Sequence, residues 1–225
     1  MKAFDVISYK ICATSAMRDA KNGAEIIKRV RKETKFQIEL ISGDEEASLI
    51  FENHIAEKLD ATRAFLYMDV GGGSTELTLF KDGIKVKARS FTIGTIRLKD
   101  DLVSQTTWQD LKTWLTEIKE EYRPKNIIGS GGNINTLFKL SLLPEMAVFP
   151  KAKVSDWYRK LKLLSYDEKI STLGLRPDRA DVIVPATELF LFALSKSGCE
   201  GIIAPKVGLV DGIIHHLYDE YKANN

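Results

Sequence analysis

The sequence predicts an α/β fold in two lobes, and three observations carry that prediction. Residues 1–62 alternate in the order β-α-β-α, an antiparallel meander of three strands follows, and the rest of the chain is helical with two short strands interposed. The boundary between the lobes is drawn at the polar stretch Asp60–Arg63, giving 1–62 and 63–225.

FDVISYKICA, within Met1–Ala13, mixes β-branched and aromatic residues and reads as a strand. Thr14 or Ser15 can cap a helix running through Ala24 to Arg31, with Ile26, Ile27 and Val30 on one side and Lys28, Arg29, Arg31 and Lys32 on the other, a basic face best read as solvated. FQIELIS, Phe36–Ser42, is a second strand, after which Gly43 and Asp44 open a helix to about Lys58. Ala64–Val70 is a compact apolar strand, Thr75–Phe80 alternates, Asp82–Gly83 is a hairpin signal and Ile84–Phe91 completes the meander. Helices are expected around Arg97–Val103 and over Thr107–Tyr122, the latter carrying Trp108, Leu111, Leu115 and Ile118 at core spacing. Lys125–Gly129 is a strand running into SGGNINTLFKL, a glycine turn before a helix. Helices over Val154–Leu164, Ser165–Leu173 and Arg179–Ser197, a strand over Gly201–Ala204 and a last helix over Gly208–Tyr221 follow.

Composition narrows the function. With 44% apolar residues the chain can build a core without staples. Its 33 Lys and Arg nearly cancel 31 Asp and Glu, so no global positive field marks a nucleic-acid partner, and any anion site must be local. Cys12 and Cys199 lie far apart without CxxC or His-rich spacing, which suggests neither a disulfide framework nor zinc but reduced thiols in the core. Neither a leader nor a membrane-length apolar run is read, so the expectation is a soluble, cytoplasmic protein with no membrane partner.

The stretch DVGGGSTELTLF, Asp69–Phe80, places bare backbone between two carboxylates. Glycines let a ligand approach the main chain, so successive N–H groups of Gly71, Gly72, Gly73, Ser74 and Thr75 can form an anion-binding nest. Asp69 and Glu76 on either side of a phosphate would repel it unless a cation intervened, and magnesium is held by one or two carboxylates plus substrate oxygens. The constellation therefore implies phosphate with Mg2+ on Asp69 and Glu76. The plainer alternative, a glycine-rich hairpin, leaves the acid at an apolar strand end unexplained.

A second glycine turn, GSGGN, with Gly131 and Gly132, stands between a strand and a helix; it either starts the helix or binds phosphate, and together the two turns suggest two walls of a cleft. In SGDEEASLIF, Asp44, Glu45 and Glu46 crowd a helix start, more acid than capping needs, and Glu46 is the one expected to turn inward and activate water. Arg18 in ATSAMRD could hold a phosphate oxygen, although a surface salt bridge is its plainer reading in isolation.

Taken in order, ATSAMRDA, ISGDEEASLIF, DVGGGSTELTLF, FTIGTIRLKD, IGSGGNINTL, RPDRADVIVPA and GLVDGII resemble segments of the exopolyphosphatase and guanosine pentaphosphate phosphohydrolase family, over nearly the whole chain. The resemblance implies the RNase H-like, two-lobed fold of the actin and sugar-kinase superfamily. It implies hydrolysis of the terminal phosphoryl group of polyphosphate or guanosine pentaphosphate. It further implies Glu46 as the base for water, Asp69 and Glu76 serving metal and nucleophile, Arg18 on the phosphate chain and Gly71–Thr75 as a phosphate loop. Arg179 and Asp181 are expected to stabilise helix packing. Family members carry a first phosphate loop well ahead of the SGDEEA segment, which this chain does not show. The expectation is therefore a complete second lobe (63–225) with a remnant of the first (1–62), and either homo-oligomerisation or completion by another chain. A catalytically inactive phosphate-binding module and an ATP-using kinase or ATPase of the same superfamily stand as the rival readings.

Overall fold

The computed structural model describes residues 5–51, 63–144, 146–205 and 209–223. The chain divides into two compact units: one comprises residues up to 56 together with those from 207 onward, the other residues 57–206. The last helix thus belongs with the beginning of the chain, where a single boundary at 62/63 would have separated it.

The first unit has a two-stranded parallel sheet, β1 (Cys12–Ala13) beside β2 (Glu39–Leu40). Both strands are far shorter than their β-rich sequences suggest. A strand needs neighbours on its faces, and Ile7, Tyr9 and Leu40 remain 76%, 50% and 48% exposed. The single helix expected after β1 is two, α1 (Ser15–Asp19) and α2 (Gly23–Thr34), separated by an extended Ala20. Gly23 starts α2 so close to α1 that a Cβ there would collide with the Met17 carbonyl. α3 (Gly43–Phe51) follows β2; the expected continuation to Lys58 lies outside the described residues. The terminal helix α11 (Leu209–Ala223) packs on α3.

The second unit is a six-stranded mixed sheet in the order β5-β4-β3-β6-β8-β7. β3 (Phe65–Val70), β4 (Thr75–Lys81) and β5 (Ile84–Phe91) form the expected antiparallel meander, and β6 (Asn126–Ser130) and β8 (Gly201–Ile203) continue it in parallel with β3. Asp82 and Gly83 both take positive φ, 53° and 73°, the two-residue turn whose twist suits a hairpin. One edge is β5, with Lys85 and Arg89 exposed along it. The other is β7 (Phe149–Pro150), two residues long and invisible as a strand in the sequence because one of them is proline.

Helices α4 (Thr95–Lys99), α5 (Gln105–Tyr122), α6 (Gly132–Leu140), α7 (Lys151–Leu163), α8 (Tyr166–Leu173), α9 (Pro177–Ala180) and α10 (Ile183–Ser197) belong to this unit. Leu66, Met68, Leu77, Leu79 and Ile127 meet Leu111, Leu115 and Ile118 of α5 and Leu189 and Phe190 of α10 in one core. Trp108 stands at its margin, edge-on to Phe192 with centroids 4.6 Å apart. α8 starts with a capping box between Ser165 and Glu168. The expected helix over Arg179–Ser197 is interrupted between α9 and α10. Running on unbroken, it would set Pro185 against the carbonyl of Asp181, whereas a restart at Ile183 puts the proline in a first turn, where no N–H is required. Among the described residues no helix is long and apolar enough to cross a membrane.

Leu115 is fully buried between α5 and the sheet. Leu115→Ala should cost about 2–5 kcal/mol in a urea-denaturation series; a loss within error of zero would show that this core collapses around the void.

Candidate active site

In the second unit the parallel strands β3 and β6 end side by side, Asp69 paired with Ser130, and each runs into a glycine turn. The two turns, expected as two walls of a cleft, are therefore neighbours on one end of one sheet.

The first turn is shaped from a distance. Gly71 O accepts the N–H of Thr95 at 3.0 Å, Gly72 O that of Ile96 at 2.9 Å, and Gly73 O the Nε of Arg97 at 2.9 Å. All peptides are trans, so each N–H points opposite to the carbonyl of its own peptide plane. With three carbonyls turned toward α4, the N–H groups of Gly72, Gly73 and Ser74 face the other way as a row of donors. None of these glycines has positive φ. A Cβ on Gly72 would stand 3.0 Å from Ile96 Cδ1, and one on Gly94 only 2.5 Å from the Gly72 carbonyl group. The hydroxyls are committed to the frame: Thr75 Oγ1 donates to Ile93 O at 2.6 Å, and Ser74 Oγ to Glu76 Oε1 at 2.7 Å.

Asp69 and Glu76 face each other across β3 and β4. Ser90 Oγ, on β5, also donates to Glu76 Oε1, at 3.1 Å. Ser90, Glu76, Asp69 and Ser130 thus form a polar row across four strands. Desolvation and then the neighbouring Glu76 charge push the Asp69 carboxyl up to about 6, against the opposing effect of hydrogen bonds from Ser130 and from the Val70 backbone.

At the second turn Gly131 has φ 102°, and a Cβ there would stand 3.3 Å from Asp69 Oδ1. Gly132 lies directly under the Arg179 guanidinium: a Cβ on it would be 2.5 Å from Cζ. Arg179 was expected to serve helix packing, and its guanidinium does lie between α9 and the start of α6, over the glycine turn, with its Nε 3.7 Å from Asp178. Asp181 does join elements, holding Lys99 of α4 at 2.8 Å. Asn133, 4% exposed in the first turn of α6, has an Oδ1 with no hydrogen-bond partner among the described residues. Sequence reading missed Arg179 and Asn133 because their significance depends on which glycine they adjoin in space.

In the first unit Arg18 and Glu46 are brought together. Arg18 Nη1 donates to Ile41 O at 2.6 Å and lies 3.9 Å from Glu46 Oε2. The adjacent acid is committed elsewhere. Ser42 and Glu45 form a reciprocal cap of α3, at 2.7 and 3.1 Å, and those hydrogen bonds hold the Glu45 carboxyl below its ordinary value. Glu45 is exposed, whereas the Glu46 side chain is 14% exposed.

Among the described residues no three His, Cys, Asp or Glu side chains gather to hold a metal. The pair Asp69 and Glu76 nonetheless fits magnesium, which takes one or two carboxylates and fills its remaining positions with substrate oxygens and water. A desolvated carboxyl that resists ionisation beside a second carboxyl is a donor set that a cation would stabilise.

Two glycine turns thus stand beside paired acids at one end of an α/β sheet. The chain belongs to the Ppx/GppA phosphatase family, whose model matches residues 1–220. It is 33% identical over 217 residues to a bifunctional 3-dehydroquinate synthase/phosphatase of Fusobacterium nucleatum, covering 86% of this chain and 32% of that protein. It is 22% identical to a putative exopolyphosphatase of Haemophilus influenzae, covering 99% of this chain and 73% of the relative, and 23% identical to a guanosine-5'-triphosphate,3'-diphosphate pyrophosphatase of Vibrio cholerae, covering 95% and 45%. The solved Ppx/GppA phosphatase of Aquifex aeolicus, type II variant, superposes with a TM-score of 0.74 at 26% identity over 95% of this chain and 76% of that one. The fold is accordingly of the actin and sugar-kinase type. The chain spans about a third of the Fusobacterium protein and under half of the Vibrio one.

Two expectations follow from the geometry. Between about pH 4 and 6 the folded protein keeps a proton on Asp69 that the unfolded chain has released, so this residue's contribution to stability is full at acid pH and is lost as pH rises through 6. Asp69→Asn should therefore raise stability at pH 8 by about 2 kcal/mol in metal-free urea denaturation and change it little at pH 4; an equal effect at both pH values would refute the assignment. Gly94→Ala should cost at least about 2 kcal/mol, since backbone must shift to admit the methyl group; a neutral substitution would mean that the loop and α4 part freely.

Proposed function

We propose that this chain is a phosphohydrolase releasing the terminal phosphate of inorganic polyphosphate or guanosine pentaphosphate by metal-assisted attack of water. The observation that carries the reading is the row of three N–H donors, Gly72 to Ser74, held by α4 beside Asp69 and Glu76. The names of the Haemophilus and Vibrio relatives support the two substrate classes.

In this reading the N–H row holds the oxygens of the terminal phosphoryl group, as preorganised donors do where charge develops. Glu46 takes a proton from the attacking water as its oxygen bonds to phosphorus, the bridging P–O bond breaks, and its electron pair leaves on the shortened chain. Arg18 and Arg179 meet phosphate oxygens, for which a guanidinium fork is suited. Magnesium on Asp69 and Glu76 would supply positive charge against those oxygens. The exposed Ile7 and Tyr9, ahead of β1, and Leu40 of β2 support association with a second copy or another chain.

The test is phosphate release from polyphosphate and from guanosine pentaphosphate with magnesium. Glu46→Ala should lower the rate by about 10²–10⁴-fold without moving the unfolding midpoint, and an undiminished rate would sink the assignment of the base. Binding of polyphosphate without release by the unaltered chain would overturn hydrolysis in favour of a phosphate-binding module. Arg179→Ala should raise KM by about tenfold, the worth of one charge-assisted contact, with little effect on kcat; an unchanged KM would return the arginine to a packing role.

A further inference from the structure

We infer that the second unit carries another anion site, for a short inorganic oligophosphate, at the opposite end of the sheet from the glycine turns. A cavity of about 730 Å³ opens there among the residues that precede β3, β6 and β8. Its position is fixed by the backbone: Lys125 N–H donates to Ala64 O at 3.1 Å, and Glu200 N–H to Lys125 O at 2.9 Å. Four cations line it, Arg63, Lys119, Arg123 and Lys125, against two acids, Glu120 and Glu200. Elsewhere in this unit surface cations pair readily: Lys87 with Glu121 at 2.8 Å, Lys99 with Asp181 at 2.8 Å, Arg89 with Asp110 at 3.5 Å. Among the described residues Lys119, Arg123 and Lys125 make no such pair within 4.0 Å, although both acids share the cavity wall.

The Lys119 side chain and the Arg123 backbone are also held in place. Gly198, at φ 73°, brings its backbone against the Lys119 stem, so that a Cβ there would stand 3.1 Å from Cε. Arg123 caps α5 in the left-handed conformation, its N–H on Lys119 O at 3.2 Å. Set against Glu120, Glu200 and the C-terminal ends of α5 and α10, which present about half a negative charge each, the described cations leave an excess of about one positive charge at the cavity. Among the described residues the remaining wall, Pro124, Ser197 and Gly198, offers no aromatic ring on which a base could stack. Charge without a stacking surface selects a compact multivalent oxyanion over a nucleotide.

The experiment is a titration of the intact chain with tripolyphosphate, at constant ionic strength and without divalent metal, followed by amide NMR. The Lys125, Ser197 and Gly198 signals should shift saturably, and the midpoint should weaken at least tenfold in the Lys119→Gln/Arg123→Gln variant, whose unfolding midpoint is checked in parallel. An absence of saturable shifts, a midpoint unchanged in the variant, or the same shifts with chloride alone would each overturn the site. Shifts at Gly71–Gly73 report separately on the proposed hydrolytic site, so failure of one reading is distinguishable from failure of the other.

Discussion

The contact on which the candidate site depends is the seating of Gly94 against the backbone of Gly72 and Gly73. Only a residue without a side chain lets α4 come near enough for its first N–H groups and Arg97 to take all three loop carbonyls. Those bonds fix the peptide planes and hence where the N–H groups aim. It is Gly94 rather than the loop's own glycines that closeness demands, and the shape of a nest at 71–74 is set by residues about twenty or more positions downstream. Lys99, paired with Asp181, ties the far end of α4 to the α9–α10 junction, which stands beside Arg179. One short helix therefore links the two glycine turns mechanically.

Asp69 and Glu76 are the locally unfavourable part of the sheet. Two carboxyls are paired across adjacent central strands, and the hydroxyls of Ser74, Ser90 and Ser130 offset the burial only in part, since Asp69 still resists ionisation up to about 6. A residue chosen for stability at that place would be apolar, like its neighbours Met68 and Val70. Conflict of this kind between local preference and global fold is what functional sites display. In the first unit, by contrast, the capping box removes Glu45 from consideration and leaves the neighbouring Glu46 beside Arg18.

Much of the second unit was legible because its signals are local. An apolar run, an alternating run and Asp82–Gly83 specify β3, β4 and their turn without reference to anything distant. The two glycine turns and the acids beside them were legible for the same reason. What escaped depends on neighbours in space. FDVISYKICA has the composition of a strand, but among the described residues its strand is Cys12–Ala13, with Ile11 O accepting the Glu39 N–H beside it. The break before α10 follows from Pro185, whose clash is with a carbonyl four residues earlier, and the break before α2 from the approach of Gly23 to Met17. Arg179 reads from the sequence as a helix-packing residue, and only the structure shows Gly132 beneath it. The family resemblance supplied roles for Glu46 and Arg18 that spacing alone left open.

The edges of the larger sheet have a bearing on how the protein behaves when crowded. β5 presents Lys85 and Arg89 outward, and β7 ends after two residues with a proline. An incoming strand meets a row of positive charge on one side and a missing donor on the other. The six-stranded sheet thereby resists the edge-to-edge growth that seeds fibrils.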